Sequence, residues 1–196
     1  IKSILLFSIV LCISCENNVQ EIINKTKDAT VTIFTYDEYG SPAGTGSGFF
    51  IDDNGTGITN YHVLDKVVKA TLKLCDGTEY EIDSVIASDK KKDIIKFTIK
   101  NPGKKKFKHL SFSKKESKQG DKIYNISSPL GYEQTFSEGT ISAIRSNSRN
   151  GVNEIQITAP LSPGSSGSAI INKYGDVIAV VSYSANEGQN MNFSIC

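Results

Sequence analysis

Histidine is scarce in this chain: only His62 and His109 occur among 196 residues. A zinc protease built on H-E-x-x-H is therefore excluded, and a metal centre with several imidazole ligands has too few candidates. An excess of one charge is missing too. There are 22 Lys and Arg against 21 Asp and Glu, so no global field favours nucleic acid or an anionic surface. Long hydrophobic runs are absent. The longest, Ile4 to Ile13, has about ten residues, well short of the roughly 20 a spanning helix needs. Cysteine is limited to four. Cys12 and Cys15 form a C-x-x-C inside the apolar run, where a redox reading carries little weight. Nothing in the sequence pairs Cys75 with Cys196.

What is present begins with that apolar run. Lys2, the run itself, a small residue at Ser14 and polar Glu16-Asn17-Asn18 have the form of an export signal. Ordinary cleavage near Ser14 is one reading. Cys15 also resembles the lipidated cysteine of a bacterial lipoprotein signal, which implies a membrane held through a lipid anchor only. Residues 16–30 are polar, with a weak helical pattern at Val19, Ile22 and Ile23, and read as a tether or short helix. A flexible tether of about fifteen residues has a span on the order of 20 Å.

From Val31 the chain is β-rich. VTIFTY, GFFI, ATLKL, EIDSVIA, IIKFTI, KIYNIS, QTFSEGTISAI, EIQIT, AIIN, DVIAVVSY and MNFSI are short β-branched or aromatic runs, separated by turn signals such as Asp76-Gly77 and Asn150-Gly151. Strands at this spacing predict a sandwich or barrel, not βαβ units. The Lys-rich segment 100–118, with Pro102-Gly103 and His109, has no Arg among its lysines and reads as a solvated connector between two β halves.

Two features carry chemistry. His62 lies at the end of a strand after a Gly-rich turn, in Ile58-Thr-Asn-Tyr-His-Val-Leu64; taken alone, a histidine there is more often structural than catalytic. Gly164-Ser165-Ser166-Gly167-Ser168 reads by composition as a flexible loop. Its place between EIQIT and AIIN favours a tight turn that gathers amide N–H groups, as an oxyanion hole requires. Chain order then discriminates. No His follows residue 109, against the α/β-hydrolase order, and position 168 is not the Gly of G-x-S-x-G. The order Asp–His–Ser, with Asp37, Asp52 or Asp53, belongs to an α/β fold. His–Asp–Ser remains, with Asp65, Asp83, Asp89 and Asp93 as candidate acids; Asp93, leading into Ile94-Ile95, is the one best placed to be retained for a buried partner.

Five ordered blocks resemble the HtrA/Deg branch of trypsin-like serine proteases. They are Gly46–Gly55 with Thr59–Leu64, Lys91–Lys96, Gln119–Gly131 with Ser137–Ala143, Ile157–Ala169, and Tyr174–Ala179. The resemblance implies an all-β fold of two six-stranded antiparallel β-barrels, chymotrypsin/trypsin-like, with the active site between them. It implies a triad of His62, Asp93 and Ser166, and an oxyanion hole from Gly164, Ser165 and Ser166, Ser165 shaping the turn. It further implies a substrate pocket bordered by Thr158, Leu161, Ser182, Tyr183 and Phe193, without a carboxylate there to select Lys or Arg. Ser168 stands where the family has Gly, and its side chain is expected to affect substrate approach.

The expected organisation is a signal peptide at 1–14, a tether at 15–30 and a protease domain at 31–196 with no PDZ domain. Within it, the first barrel covers about 31–99, the linker about 100–118 and the second barrel about 119–196. The expected activity is hydrolysis of unfolded or exposed proteins and peptides in the periplasm or at the cell surface, with no cofactor, no metal and no nucleic-acid partner. The competing reading is a catalytically silent protease-fold surface lipoprotein that binds a partner.

Overall fold

The computed structural model describes residues 19–128, 134–146, 152–184 and 192–195, and the backbone alone for 183, 184 and 192–195. Cys12, Cys15 and Cys196 lie outside the described residues.

Alternation writes the strands. In β6 (Ile94–Ile99), Ile95, Phe97 and Ile99 are buried while their neighbours are half-buried, the period of two that a one-sided sheet requires. The first barrel comprises β1 (Thr30–Tyr36), β2 (Pro42–Phe50), β3 (Gly57–Thr59), β4 (Lys69–Lys73), β5 (Glu79–Asp89) and β6, ordered β1-β2-β3-β6-β5-β4 and closed by β4 on β1. The second comprises β7 (Lys122–Ser127), β8 (Thr135–Arg145), β9 (Glu154–Ile157), β10 (Ala169–Asn172), β11 (Val177–Ser184) and β12 (Asn192–Ile195). Its order is β10-β11-β12-β9-β8-β7, and β10 closes on β7. Both barrels are six-stranded and antiparallel, as the resemblance implies. Breaks in register within β5 and β8 turn the long strands around the barrel corners.

Each barrel has its own apolar filling. Val31, Ile33, Phe50, Leu72 and Phe97 fill the first; Ile123, Ile141, Ile155, Ile157 and Ile170 fill the second. A third cluster joins Phe49 and Ile58 of the first barrel to Ala169, Ile171, Val177 and Val180 of the second. Adjacent Phe49 and Phe50 thus face opposite ways, one gluing the barrels together and the other filling its own.

Two segments are more closely packed than the sequence reading implies. The stretch before β1 takes the short-helix reading, over residues 19–27 (α1), and is packed, not a free tether. Ile22 and Thr26 are buried, Thr26 Oγ1 donates to the Ile22 carbonyl at 2.7 Å, and Lys25 Nζ reaches the Tyr174 carbonyl at 3.5 Å. The connector is likewise anchored. Phe107 and Leu110 are 5% and 1% exposed, and Phe107 meets the rings of Phe50 and Tyr80 at 4.9 and 5.5 Å. Leu110 N–H donates to the Phe50 carbonyl, and Ser113 N–H to the Val177 carbonyl, so the strap grips both barrels. The lysine-rich composition concealed these two apolar residues.

Phe107→Ala should therefore destabilise the whole domain by about 3 kcal/mol, as ring deletions in cores do, whereas Lys108→Ala, on the exposed side, should change little. Chemical denaturation of the two variants checks the contrast.

Candidate active site

Three turns deliver the site. His62 lies in a single-turn helix, α2 (Tyr61–Leu64), directly after β3. Asp93 ends the turn between β5 and β6 in a left-handed backbone, with φ of 54°. Ser166 sits between β9 and β10 of the other barrel. The strain at Asp93 is held by its surroundings: its carbonyl accepts from Asn60 Nδ2 at 2.9 Å and from Tyr61 N–H at 3.1 Å. This backbone crosslink fixes the Asp93 turn against the helix that carries the imidazole.

The Asp93 carboxylate gathers three donors. His62 N–H meets Oδ1 at 2.9 Å; His62 Nδ1 and Ser182 Oγ meet Oδ2, each at 2.8 Å. Burial pushes this carboxyl up, but the hydrogen bonds from His62 and Ser182 outweigh it and hold the group below its ordinary value. With Nδ1 engaged on the carboxylate, Nε2 is left to act as base. Asp65, Asp83 and Asp89 make no hydrogen bond or ion pair with His62 among the described residues; Asp89 instead accepts from Lys92 N–H.

The loop bearing Ser166 is a built turn. Pro163 and Gly164 occupy its centre, Gly164 has φ of +96°, and Ser165 N–H closes on the Ser162 carbonyl at 2.9 Å. That is the chemistry of a type II turn, with Pro first and a positive-φ Gly second. Ser165 is buried and its N–H is consumed by the turn. The N–H groups of Gly164 and Ser166 have no acceptor among the described residues. At Gly167, with φ of +87°, a Cβ would lie 2.2 Å from the Ser47 carbonyl oxygen, so the loop can press against the first barrel only with glycine there.

Ser168 departs from its expected place. It is fully buried, its Oγ donating to the Ser165 carbonyl at 2.7 Å and accepting from Asn125 Nδ2 at 2.8 Å. The hydroxyl braces the turn from beneath and does not face a substrate. Of the pocket residues, Ser182 is directed onto Asp93, Thr158 Oγ1 accepts from Thr140 N–H at 2.9 Å, and Leu161 packs on the second barrel's core. Tyr183 and Phe193 are paired through their strands; their side chains lie outside the described residues. The role of Ser182 as a donor to the acid had no signal in the sequence, because a serine in a strand has no pattern of its own.

His62 and Ser166 line one cleft of about 280 Å³. Ser166 Oγ donates to the Ser182 carbonyl at 3.5 Å, at the limit of a hydrogen bond, and does not bond His62 in this structure. No cluster of His, Cys, Asp and Glu suited to a metal occurs among the described residues.

A model of the trypsin-like peptidase domain matches residues 46–180, the span that contains His62, Asp93 and Ser166 and stops just short of Ser182. The chain belongs to that family. Among its relatives, Protease Do-like 5, chloroplastic, of Arabidopsis thaliana is 28% identical over 82% of this chain and 54% of its own length. The periplasmic serine endoprotease DegP of Escherichia coli is 33% identical over 69% of this chain and 29% of its own. The periplasmic pH-dependent serine endoprotease DegQ of the same organism is 34% identical over 70% and 30%. The chain thus spans about half or less of these relatives. The crystal structure of the serine endoprotease from Yersinia pestis superposes with a TM-score of 0.77 at 22% identity, over 90% of this chain and 61% of that one. This likeness shows the shared fold.

The depressed Asp93 carboxyl has a pH signature. Its contribution to stability is fully present above the unfolded value near 4 and is lost as pH falls through the lower folded value. Asp93→Asn keeps a residue tolerant of the left-handed backbone but removes the charge. Denaturation midpoints followed from pH 6 downward should fall for the native chain below about pH 4, with a shallower decline in the variant.

Proposed function

We propose that this chain is a serine endopeptidase in which Ser166 is the nucleophile, His62 the general base and then general acid, and Asp93 the residue that orients His62. The observation that carries the reading is the His62–Asp93–Ser182 chain of 2.8 Å contacts, opening on the same cleft as a serine held on a preformed turn. Asp93 holds the proton on Nδ1 and stabilises the imidazolium that forms when Nε2 takes the Ser166 proton. The oxygen of the tetrahedral intermediate meets the free N–H groups of Gly164 and Ser166, each such donor being worth about 10²–10³ in turnover. His62 then returns the proton to the leaving amine, and water repeats the sequence on the acyl-enzyme.

In this mechanism Ser166 Oγ gives up its weak 3.5 Å contact to the Ser182 carbonyl for His62 Nε2. Catalytic hydrogen bonds are often long before substrate binds. That contact is also the one observation favouring a silent binding module, and a single experiment separates the two. The protein should cleave an unfolded substrate such as casein and be labelled by a fluorophosphonate, and Ser166→Ala should lose both by at least about 10³-fold. Cleavage that survives in Ser166→Ala refutes the assignment, and an unlabelled, inactive native protein favours the binding module.

The substrates fit unfolded or exposed chains with small or medium apolar residues on the acyl side, since Thr158, Leu161, Ser182, Tyr183 and Phe193 supply no carboxylate. Export is supported by the leader at Ile4–Ile13 and by the periplasmic relatives. Lipidation of Cys15 then places the domain at a membrane surface. Because residues 19–27 are helical and packed, the reach is shorter than a fifteen-residue coil would give. Expressed in a bacterium, the full chain should partition into detergent and Cys15→Ser should stay aqueous. Equal aqueous partitioning with an unmodified N-terminus identifies a freely secreted protein.

A further inference from the structure

The cleft shared by His62 and Ser166 is asymmetric in a way that bears on substrate choice. Apart from Ser166, every residue lining it belongs to the first barrel and its loops. The oxyanion turn, which meets the acyl half of a substrate in the proposed mechanism, lies on the other barrel. His62 protonates the departing amine, so the chain beyond that amine must leave past the imidazole and into this cleft. Its walls therefore face the residues that follow the scissile bond.

The composition of those walls is specific. Tyr36, Val63 and Val67 are half-buried and offer apolar surface. Asp37 and Asp65 stand on the same lining, against one cation, Lys66. Asp37 is held firmly: its Oδ1 accepts from Tyr39 N–H at 2.9 Å and Ser41 N–H at 2.8 Å, which leaves Oδ2 without a partner among the described residues. Asp65 and Lys66 are exposed, and neither has an ion-pair partner among the described residues. An apolar wall ending in uncommitted carboxylates suits a side chain with an apolar stem and a cationic tip.

We infer that this cleft selects the leaving half of the substrate, favouring Lys or Arg at the first two positions after the scissile bond through Asp37 and Asp65, with Lys66 limiting the preference. The inference rests on the endopeptidase reading and deepens it. It assigns charge selection to the opposite side of the cut from the pocket that lacks a carboxylate. The step itself is unchanged: the carbonyl carbon bonds to Ser166 Oγ, the C–N bond breaks, and the amine takes the proton from His62.

Internally quenched peptides identical on the acyl side, with Lys, Ala or Glu after the scissile bond, test it. kcat/KM should fall in the order Lys, Ala, Glu, by about twofold to fivefold per step, the scale of partly exposed ion pairs. The spread should shrink as salt rises, because such pairs are screened. The Lys-to-Glu ratio should approach one in Asp37→Asn/Asp65→Asn, where the amide oxygen at 37 still accepts the turn's N–H groups. It should widen in Lys66→Asn, which tolerates the left-handed φ of 59° found there. Fluorophosphonate labelling of each protein separates the two levels. A labelled enzyme with a ratio near one, or a ratio unmoved by the double variant, overturns this inference alone; a native protein that neither labels nor cleaves overturns the endopeptidase reading and this inference with it.

Discussion

The site depends on holding two closed barrels in one register, and the central constraint is a buried serine. A closed barrel has no free edge with which to grip a neighbour. Ser47, fully buried on β2, supplies the grip instead. Its N–H donates to the Ser166 carbonyl at 2.8 Å, its Oγ donates to the Gly164 carbonyl at 2.7 Å and accepts from Ser128 N–H at 3.1 Å. Thr59 Oγ1, from β3, donates to the Ser47 carbonyl at 2.8 Å. Each such group left unpaired in the interior would cost about 1–3 kcal/mol, so sliding one barrel against the other breaks several bonds together. The loop bearing Ser166 is thereby fixed from the opposite barrel.

The rest of the site follows the same logic of crossing from one half to the other. Ser182 on the second barrel donates to Asp93 on the first. Phe49 and Ile58 pack on Ala169 and Val180, and the connector binds Phe50 at one end and Val177 at the other. Gly167 permits the close approach that these bonds demand. The apolar seam provides cohesion, and the polar contacts set position within it.

Much of the fold was legible in residue patterns. The β-branched runs read from the sequence all correspond to strands, because each alternates or is bounded by turn chemistry. β3, only Gly57–Thr59, was legible as the short strand leading to His62, and the first half of β2 was hidden by Gly44, Gly46 and Gly48, which give no apolar signal. His62 and the Ser166 loop could be singled out because so few histidines exist and because Gly164–Ser168 sets a run of small residues between two apolar strands. What could not be read was direction. Whether Ser168 faces a cleft or a core, whether Ser182 lines a pocket or meets Asp93, and whether Phe107 is wet or buried are settled by tertiary contacts among residues far apart in the chain. Composition misled at the connector for that reason: its lysines describe the solvent side, and two apolar residues determine where it lies.

That strap has a consequence for survival among proteases. To be cut, a segment must detach and lie extended across another molecule's cleft for several residues. The connector is long and rich in lysine, the natural place for such an attack, yet it is fastened at Phe107, Leu110 and Ser113. From Phe107 to Ser113 the strap cannot be lifted away without extracting a buried ring or breaking its backbone bonds to the barrels. Resistance of this stretch to digestion is thus set by the same contacts that join the two halves.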